Sequence, residues 1–144
     1  MSSFKNILFP LNGSQQALDY AIMMAKKSDA RLHLLKTYRL NDALANQDKS
    51  VSAKNRKDSL YEQLVEDFES RYKSRLDQSG IAYDFTVEIG FLTDRILAAI
   101  EDLNIDMLLI NSFQKSPDDS IIERIQEVSV PVMLVPEKAL TPEG

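Results

Sequence analysis

Two kinds of apolar pattern alternate along this chain: short unbroken runs and longer stripes at helical spacing. The first run, Asn6 to Leu11, reads Ile7-Leu8-Phe9-Pro10-Leu11 at its centre and closes on turn residues, Pro10 and then Asn12-Gly13-Ser14. An unbroken run of this length predicts a strand buried on both faces, as in a parallel sheet. Leu18, Ala21, Ile22 and Ala25 follow at the i, i+3, i+4, i+7 spacing of one helix face, with Ser14 placed to cap the orphan N–H groups at the helix start. Arg31 to Tyr38 gives a second strand with Leu32-His33-Leu34-Leu35 at its centre. From Arg39 to about Asp58 the chain turns polar and predicts a long loop, or a loop with a marginal helical turn, a length usual for lids or mobile segments. Within it, the stretch from Asp42 to Lys54 has no periodic apolar face to offset its ordering entropy.

A long helix comes next, because Leu60, Leu64, Phe68, Tyr72 and Leu76 fall four apart and Tyr61 and Val65 widen the stripe. Gly80 stands where a left-handed C-cap is wanted. Tyr83, Phe85, Val87 and Ile89 then alternate with Asp84, Thr86, Glu88 and Gly90, the period of a strand with one wetter face, as at a sheet edge. A third long helix starts near Thr93, a candidate N-cap, and turns Ile96, Leu97, Ile100 and Leu103 inward. Met107-Leu108-Leu109-Ile110 is a fourth strand, and Asn111 to Asp119 a polar loop. A last helix is expected with Ile121, Ile122, Ile125 and Val128 facing in, then a strand from Val130 to Pro136. Strict alternation of strand and helix implies right-handed crossovers and a parallel sheet covered by helices on both faces. Ligands of such sheets bind beyond the carboxyl ends of the strands, where the strand order reverses.

Composition sets bounds on this picture. The 144 residues fit one domain, expected over 1–137 with 138–144 as a flexible C-terminal tail. A net charge of −5 opposes a nucleic-acid or anionic-membrane partner. The N-terminal apolar run is too short for a signal-peptide core and no stretch is long enough to span a bilayer, so a cytoplasmic protein is expected. With no cysteine, His33 is the only soft metal ligand.

Candidate chemistry is sparse. Asn12, Gly13 and Ser14 read either as a ligand-binding turn or as a turn plus a helix cap. Asp118 and Asp119 read as a carboxylate pair or as partners of a helix dipole. Ser112, Ser116 and Ser120 read as phosphate ligands, as phosphorylation sites, or as loop and cap residues. His33 stands alone in an apolar strand, where a structural role needs no further partner. Lys49, Lys54, Arg56 and Lys57 make a basic cluster in the long loop, solvated or facing a partner. No nucleophile motif, zinc spacing, phosphate loop or dinucleotide fingerprint is present, so the sequence predicts no enzyme, no metal and no cofactor.

In several segments the chain resembles the universal stress proteins. Ile7 to Ser14 is similar to their opening strand and Asp-Gly-Ser turn. Val87-Glu88-Ile89-Gly90 resembles their third strand, and Asp106 to Ile110 their Asp-led fourth. Val130-Pro131-Val132-Met133-Leu134-Val135 resembles their closing strand. The resemblance implies a three-layer, Rossmann-like α/β fold of the adenine nucleotide alpha hydrolase-like type, with a five-stranded parallel sheet ordered 3-2-1-4-5. It also implies a homodimer made by pairing the last strand, here Val132, Met133, Leu134 and Val135. One branch of the family binds ATP through G-x2-G-x9-G-[ST] after strand 4. This sequence departs from that signature at every glycine: Asn111 and Gln114 take the first two positions, Asp119 the third, and the loop, which contains Pro117, is about four residues shorter. The family's acidic residue after strand 1 is Asn12 here.

The resemblance therefore implies a non-enzymatic, homodimeric stress-response or regulatory protein without tight ATP binding. Two alternatives stay open. One is an ATP- or AMP-binding protein with an altered phosphate loop. The other is a sensor of a small uncharged ligand, lidded by the 39–58 loop. Any such pocket would draw on Asn12, Gly13, Ser14, Asn111, Ser112 and Ser120.

Overall fold

The computed structural model describes residues 4–11, 15–39, 53–111 and 122–135. Strands β1 (Asn6–Pro10), β2 (Arg31–Tyr38), β3 (Tyr83–Ile89), β4 (Met107–Asn111) and β5 (Val132–Val135) form one parallel sheet in the order β3-β2-β1-β4-β5. This is the order and class that the resemblance implies. Ile7, Leu8 and Phe9 are at most 1% exposed, so the unbroken apolar run of β1 reflects burial on both faces of a central strand. Asp106 fixes where β1 begins: its Oδ2 accepts the Lys5 and Asn6 backbone N–H groups at 2.7 and 2.8 Å. The acidic lead of the fourth strand thus has a structural cause, satisfying two main-chain donors on the neighbouring strand.

Helix α1 (Gln15–Ser28) buries Ala17, Leu18, Ala21, Ile22 and Ala25. Helix α2 (Ala53–Phe68) continues through a π-helical turn (Glu69–Lys73) into α3 (Ser74–Ser79). The π turn explains how residues four apart keep facing the sheet. In a pure α-helix each such step drifts by about 40°, and the wider turn takes up part of that drift. Phe68, Tyr72 and Leu76 accordingly stay buried. These helices cover one face of the sheet, against Ile7, Phe9, Leu32, Leu34, Met107 and Leu109. On the other face, helix α4 (Leu92–Asp102) and the segment around Val128 and Val130 pack on Leu8, Leu35, Leu108 and Ile110.

Several sequence expectations need correction. Leu103 and Tyr61, expected on the inward faces of their helices, are 38% and 46% exposed. Thr93 is not the N-cap of α4. Phe91 holds that position with extended φ −77° and ψ 138°, and Thr93 lies buried in the first turn, because the chain has already turned at Gly90, whose φ is +134°. The expected last helix is a 3-10 helix (Ile122–Glu127) interrupted at Arg124, with φ −114° and ψ 24°. A segment this short gains little as an isolated α-helix. Side-chain bonds hold it instead, from Arg124 to Asp94 at 2.7 Å and to Glu127 at 2.6 and 3.0 Å. Helix α2 begins at Ala53, so Lys54, Arg56 and Lys57 belong to it and not to a loop. Gly80 does cap α3 in the left-handed region, at φ +80°.

Gly90 yields a test of backbone strain. Its φ lies in a region open essentially to glycine alone, and a Cβ there would come 2.9 Å from Arg95 Nε. Gly90→Ala is expected to destabilise the fold by about 1–3 kcal/mol, measured by urea denaturation. The Arg95→Ala background should rescue little of this, since the arginine can swing away and the backbone cannot relax. Full rescue would show that the clash dominates.

Candidate functional site

The strand order reverses between β1 and β4, with Ile7 opposite Met107 and Leu8 opposite Leu108. The crevice typical of open α/β sheets therefore opens beyond Pro10 and Asn111. Leu11 extends β1 by one residue and donates its N–H to the Leu35 carbonyl at 2.8 Å. Asn111 ends β4 opposite Val135 and is only 3% exposed. Of the six sequence-derived pocket candidates, Asn111 alone falls among the described residues, and it sits at the mouth of this crevice. Asn12, Gly13, Ser14, Ser112 and Ser120 lie outside them, as do Gln114, Ser116, Pro117, Asp118 and Asp119. So does the basic Lys49, together with the loop stretch 42–52.

Beside the crevice, on the α2 face, a hollow of about 200 Å³ lies between the helix and the sheet. Leu11, Leu64 and Tyr72 supply apolar wall. Phe68 stacks on Phe85 at 4.0 Å and 5°, and Lys36, Asp67 and Arg71 bring charge. Arg71 is already paired with Asp67 at 3.0 Å. At the ends of β2 and β3 the chain is clamped differently. Gly90 donates its N–H to the Tyr38 carbonyl at 2.9 Å, and the Arg39 guanidinium lies 4.6 Å from the centre of the exposed Phe91 ring.

His33 is a structural tie. Its Nδ1 lies 2.9 Å from Asp84 Oδ1 and its Nε2 3.0 Å from Asn6 Oδ1, so one ring joins β1, β2 and β3. The imidazole is 7% exposed. Asn6 turns its amide N–H to the Asn104 carbonyl at 3.4 Å, which leaves its oxygen toward the histidine. Sequence reasoning found His33 but not its partners, because Asp84 meets it only through the β2–β3 register. A second tie was likewise unseen. Tyr83 Oη donates to Asp77 Oδ1 at 2.5 Å, and Lys73 Nζ donates to Asp77 Oδ2 at 2.9 Å. The tyrosine hydrogen bond, then the lysine, hold the Asp77 carboxyl below its ordinary range. Burial, then the carboxylate, push the Tyr83 phenol up. Among the described residues no group of three or more His, Asp or Glu side chains could hold a metal ion, and no helix is long and apolar enough to cross a membrane.

Comparison with known proteins gives the setting. The model of the universal stress protein family matches residues 3–136. No curated protein matches the sequence. A universal stress family protein from Burkholderia pseudomallei is 19% identical and superposes with a TM-score of 0.69, covering 94% of this chain and 98% of its own. A universal stress protein in complex with cAMP is 16% identical with a TM-score of 0.69, over 95% of this chain and 100% of its own. One from Archaeoglobus fulgidus in complex with dAMP is 12% identical with a TM-score of 0.60, over 92% and 98%. At these identities the likeness is one of fold.

The His33 tie is open to direct measurement. His33→Leu leaves Asn6 and Asp84 without their shared partner and is expected to destabilise the protein by about 1–3 kcal/mol in urea. His33→Gln, which keeps one polar contact, should recover part of the loss. An unchanged midpoint for the leucine variant would remove the tie from the account of stability.

Proposed function

The chain belongs to the universal stress protein family, and we propose that it is a non-enzymatic member acting as a homodimeric regulatory or stress-response protein without tight ATP binding. Asn111 is the observation that carries the nucleotide part of this reading. It is buried at the end of β4, at the position where the binding signature has its first glycine. Glycine there lets backbone come close to phosphates, and a buried amide side chain occupies that approach. The sequence adds Gln114 at the second glycine position, Pro117 with no N–H to offer, and Asp118 and Asp119, whose charge opposes a polyphosphate. The N–H groups at the start of the Ile122–Glu127 segment, which Ser120 precedes in sequence, would favour an anion, but less strongly than these losses oppose it.

Edge strand β5 supports the dimer. It pairs with β4 on one side, Leu134 is 50% exposed on it, and Val132 and Met133 are half-buried. An apolar edge with unpaired main-chain groups invites pairing with a second copy across a two-fold axis. A second reading, an altered nucleotide site, is favoured by the similar structures solved with cAMP and with dAMP.

Calorimetry with ATP and magnesium separates the two readings. The expected dissociation constant is no tighter than about millimolar, near −4 kcal/mol. A micromolar value would establish the nucleotide reading, and Asn12→Ala and Ser120→Ala should then weaken binding. Light scattering tests the dimer: a mass twice the 16.3 kDa of the chain is expected, falling toward one chain in Leu134→Lys. A monomeric wild-type protein would rule the β5 dimer out.

A further inference from the structure

The two sheet faces are unequally covered. Helices α1, α2 and α3 cover one, whereas on the other α4 packs over the centre of the sheet, on Leu8, Leu35 and Leu108. The β3 side chains on that second face, Asp84, Thr86 and Glu88, stay partly or fully exposed. Between β3 and α4 this leaves a groove of about 130 Å³, with Leu35 and His33 in its floor. The groove exists because α4 presents Ala98 and Ala99 to it. Any larger side chain at these positions would fill it.

Its two ends differ electrostatically. At the end near the carboxyl edge of the sheet, Arg95 and Glu88, of opposite charge, both line the groove. About 10 Å further along the helix axis, the other end is formed by Asp102 and Leu103, where α4 terminates. A helix C-terminus carries the negative end of the backbone dipole and favours cations. Here the last turn holds Glu101 and Asp102 and no basic residue. Asp102 makes no ion pair among the described residues. A negative helix end, an unpaired carboxylate and an apolar slot therefore meet in one place.

We propose that this groove binds a small organic cation, a primary ammonium head at Asp102 with an apolar body of about one ring lying along Ala98 and Ala99. The volume suits a body of that size, since an apolar cavity of roughly 150 Å³ admits benzene. The ammonium gains the Asp102 carboxylate and the α4 dipole, and the ring removes Ala99 and Leu103 from water above the already buried Leu35. A carboxylate in the position of the ammonium would meet Asp102 as a like charge, with Arg95, the cation of the groove, about 10 Å away at its other end beside Glu88. This site is separate from the crevice between β1 and β4 and does not depend on whether nucleotide binds there.

Benzylamine, benzyl alcohol and benzoate, added to the ¹⁵N-labelled full chain and followed by amide chemical shifts, test the proposal. Benzylamine is expected to move the amides of Thr86, Ala98 and Ala99 with a saturable dependence, benzyl alcohol more weakly, and benzoate least. Asp102→Asn, an exposed and conservative change, should weaken benzylamine about threefold, the size an exposed ion pair supplies, and leave benzyl alcohol unaffected. Ala98→Leu should abolish binding of both. Where that variant does not fold, Asp102→Asn alone decides the matter. Absent shifts at these amides with benzylamine, benzoate binding as well as the amine, or an Asp102→Asn effect equal for amine and alcohol would each overturn it.

Discussion

The fold depends on the position of β1, which is hydrogen-bonded on both edges and buried on both faces. A strand so placed has no side chain free to face water, so its residues must be apolar in sequence without interruption. Its main-chain ends must also be satisfied by neighbours. Asp106 does this at the start and the Leu35 carbonyl at the finish. With β1 central, β2 and β3 must extend to one side and β4 and β5 to the other, and the order reverses beside it. The crevice between β1 and β4 is thus a consequence of burying one strand completely.

That constraint also explains what could be read from the chain. Strands with two buried faces write themselves as runs, and β1, β2 and β4 stand close to where the runs placed them. β3, at the edge, writes itself as an alternation, and its bounds match those expected. The misreadings have a common origin, in that they concern elements whose ends are set by tertiary contacts. Thr93 has the chemistry of a cap, but the turn at Gly90 starts the helix before it. The residues from Ile121 to Val128 have helical spacing, but Arg124 bonded to Asp94 and Glu127 holds a tighter, broken helix. Of the candidate site, only Asn111 falls among the described residues, at the crevice expected for it. The partners of His33 and Tyr83 were illegible because they follow from register and from the approach of α3 to β3. No local pattern encodes either.

The order of the sheet has a further consequence at its two margins. Among the described residues β3 and β5 each pair on one side only, but they are built differently. β3 carries Asp84, Thr86 and Glu88 on one face, and α3 is tied to it through Asp77 and Tyr83. Charged side chains along an edge discourage pairing with another sheet. β5 is four residues long and carries no charge, and Leu134 stands exposed on it. If the sheet extends into a second copy, the physical chemistry of the two edges selects β5 and leaves β3 facing solvent.

The polar side chains of the described residues divide by whether they have a protein partner. His33, Asp84, Asn6, Asp77, Tyr83 and Asp106 are bonded to one another or to backbone, and their chemistry goes into holding strands and helices in register. The charged groups left without such partners, Lys36 and Arg95 among them, border the hollow beside α2 or the groove beside α4. In water an exposed charge needs no protein partner, so isolation alone says little. Isolation beside an apolar concavity says more, because a ligand entering there exchanges the hydration of that charge for contact with it in a less polar setting. On the described surface, these concavities are where a ligand would make such an exchange. The ties among the bonded groups join β1, β2 and β3 and hold α3 to β3.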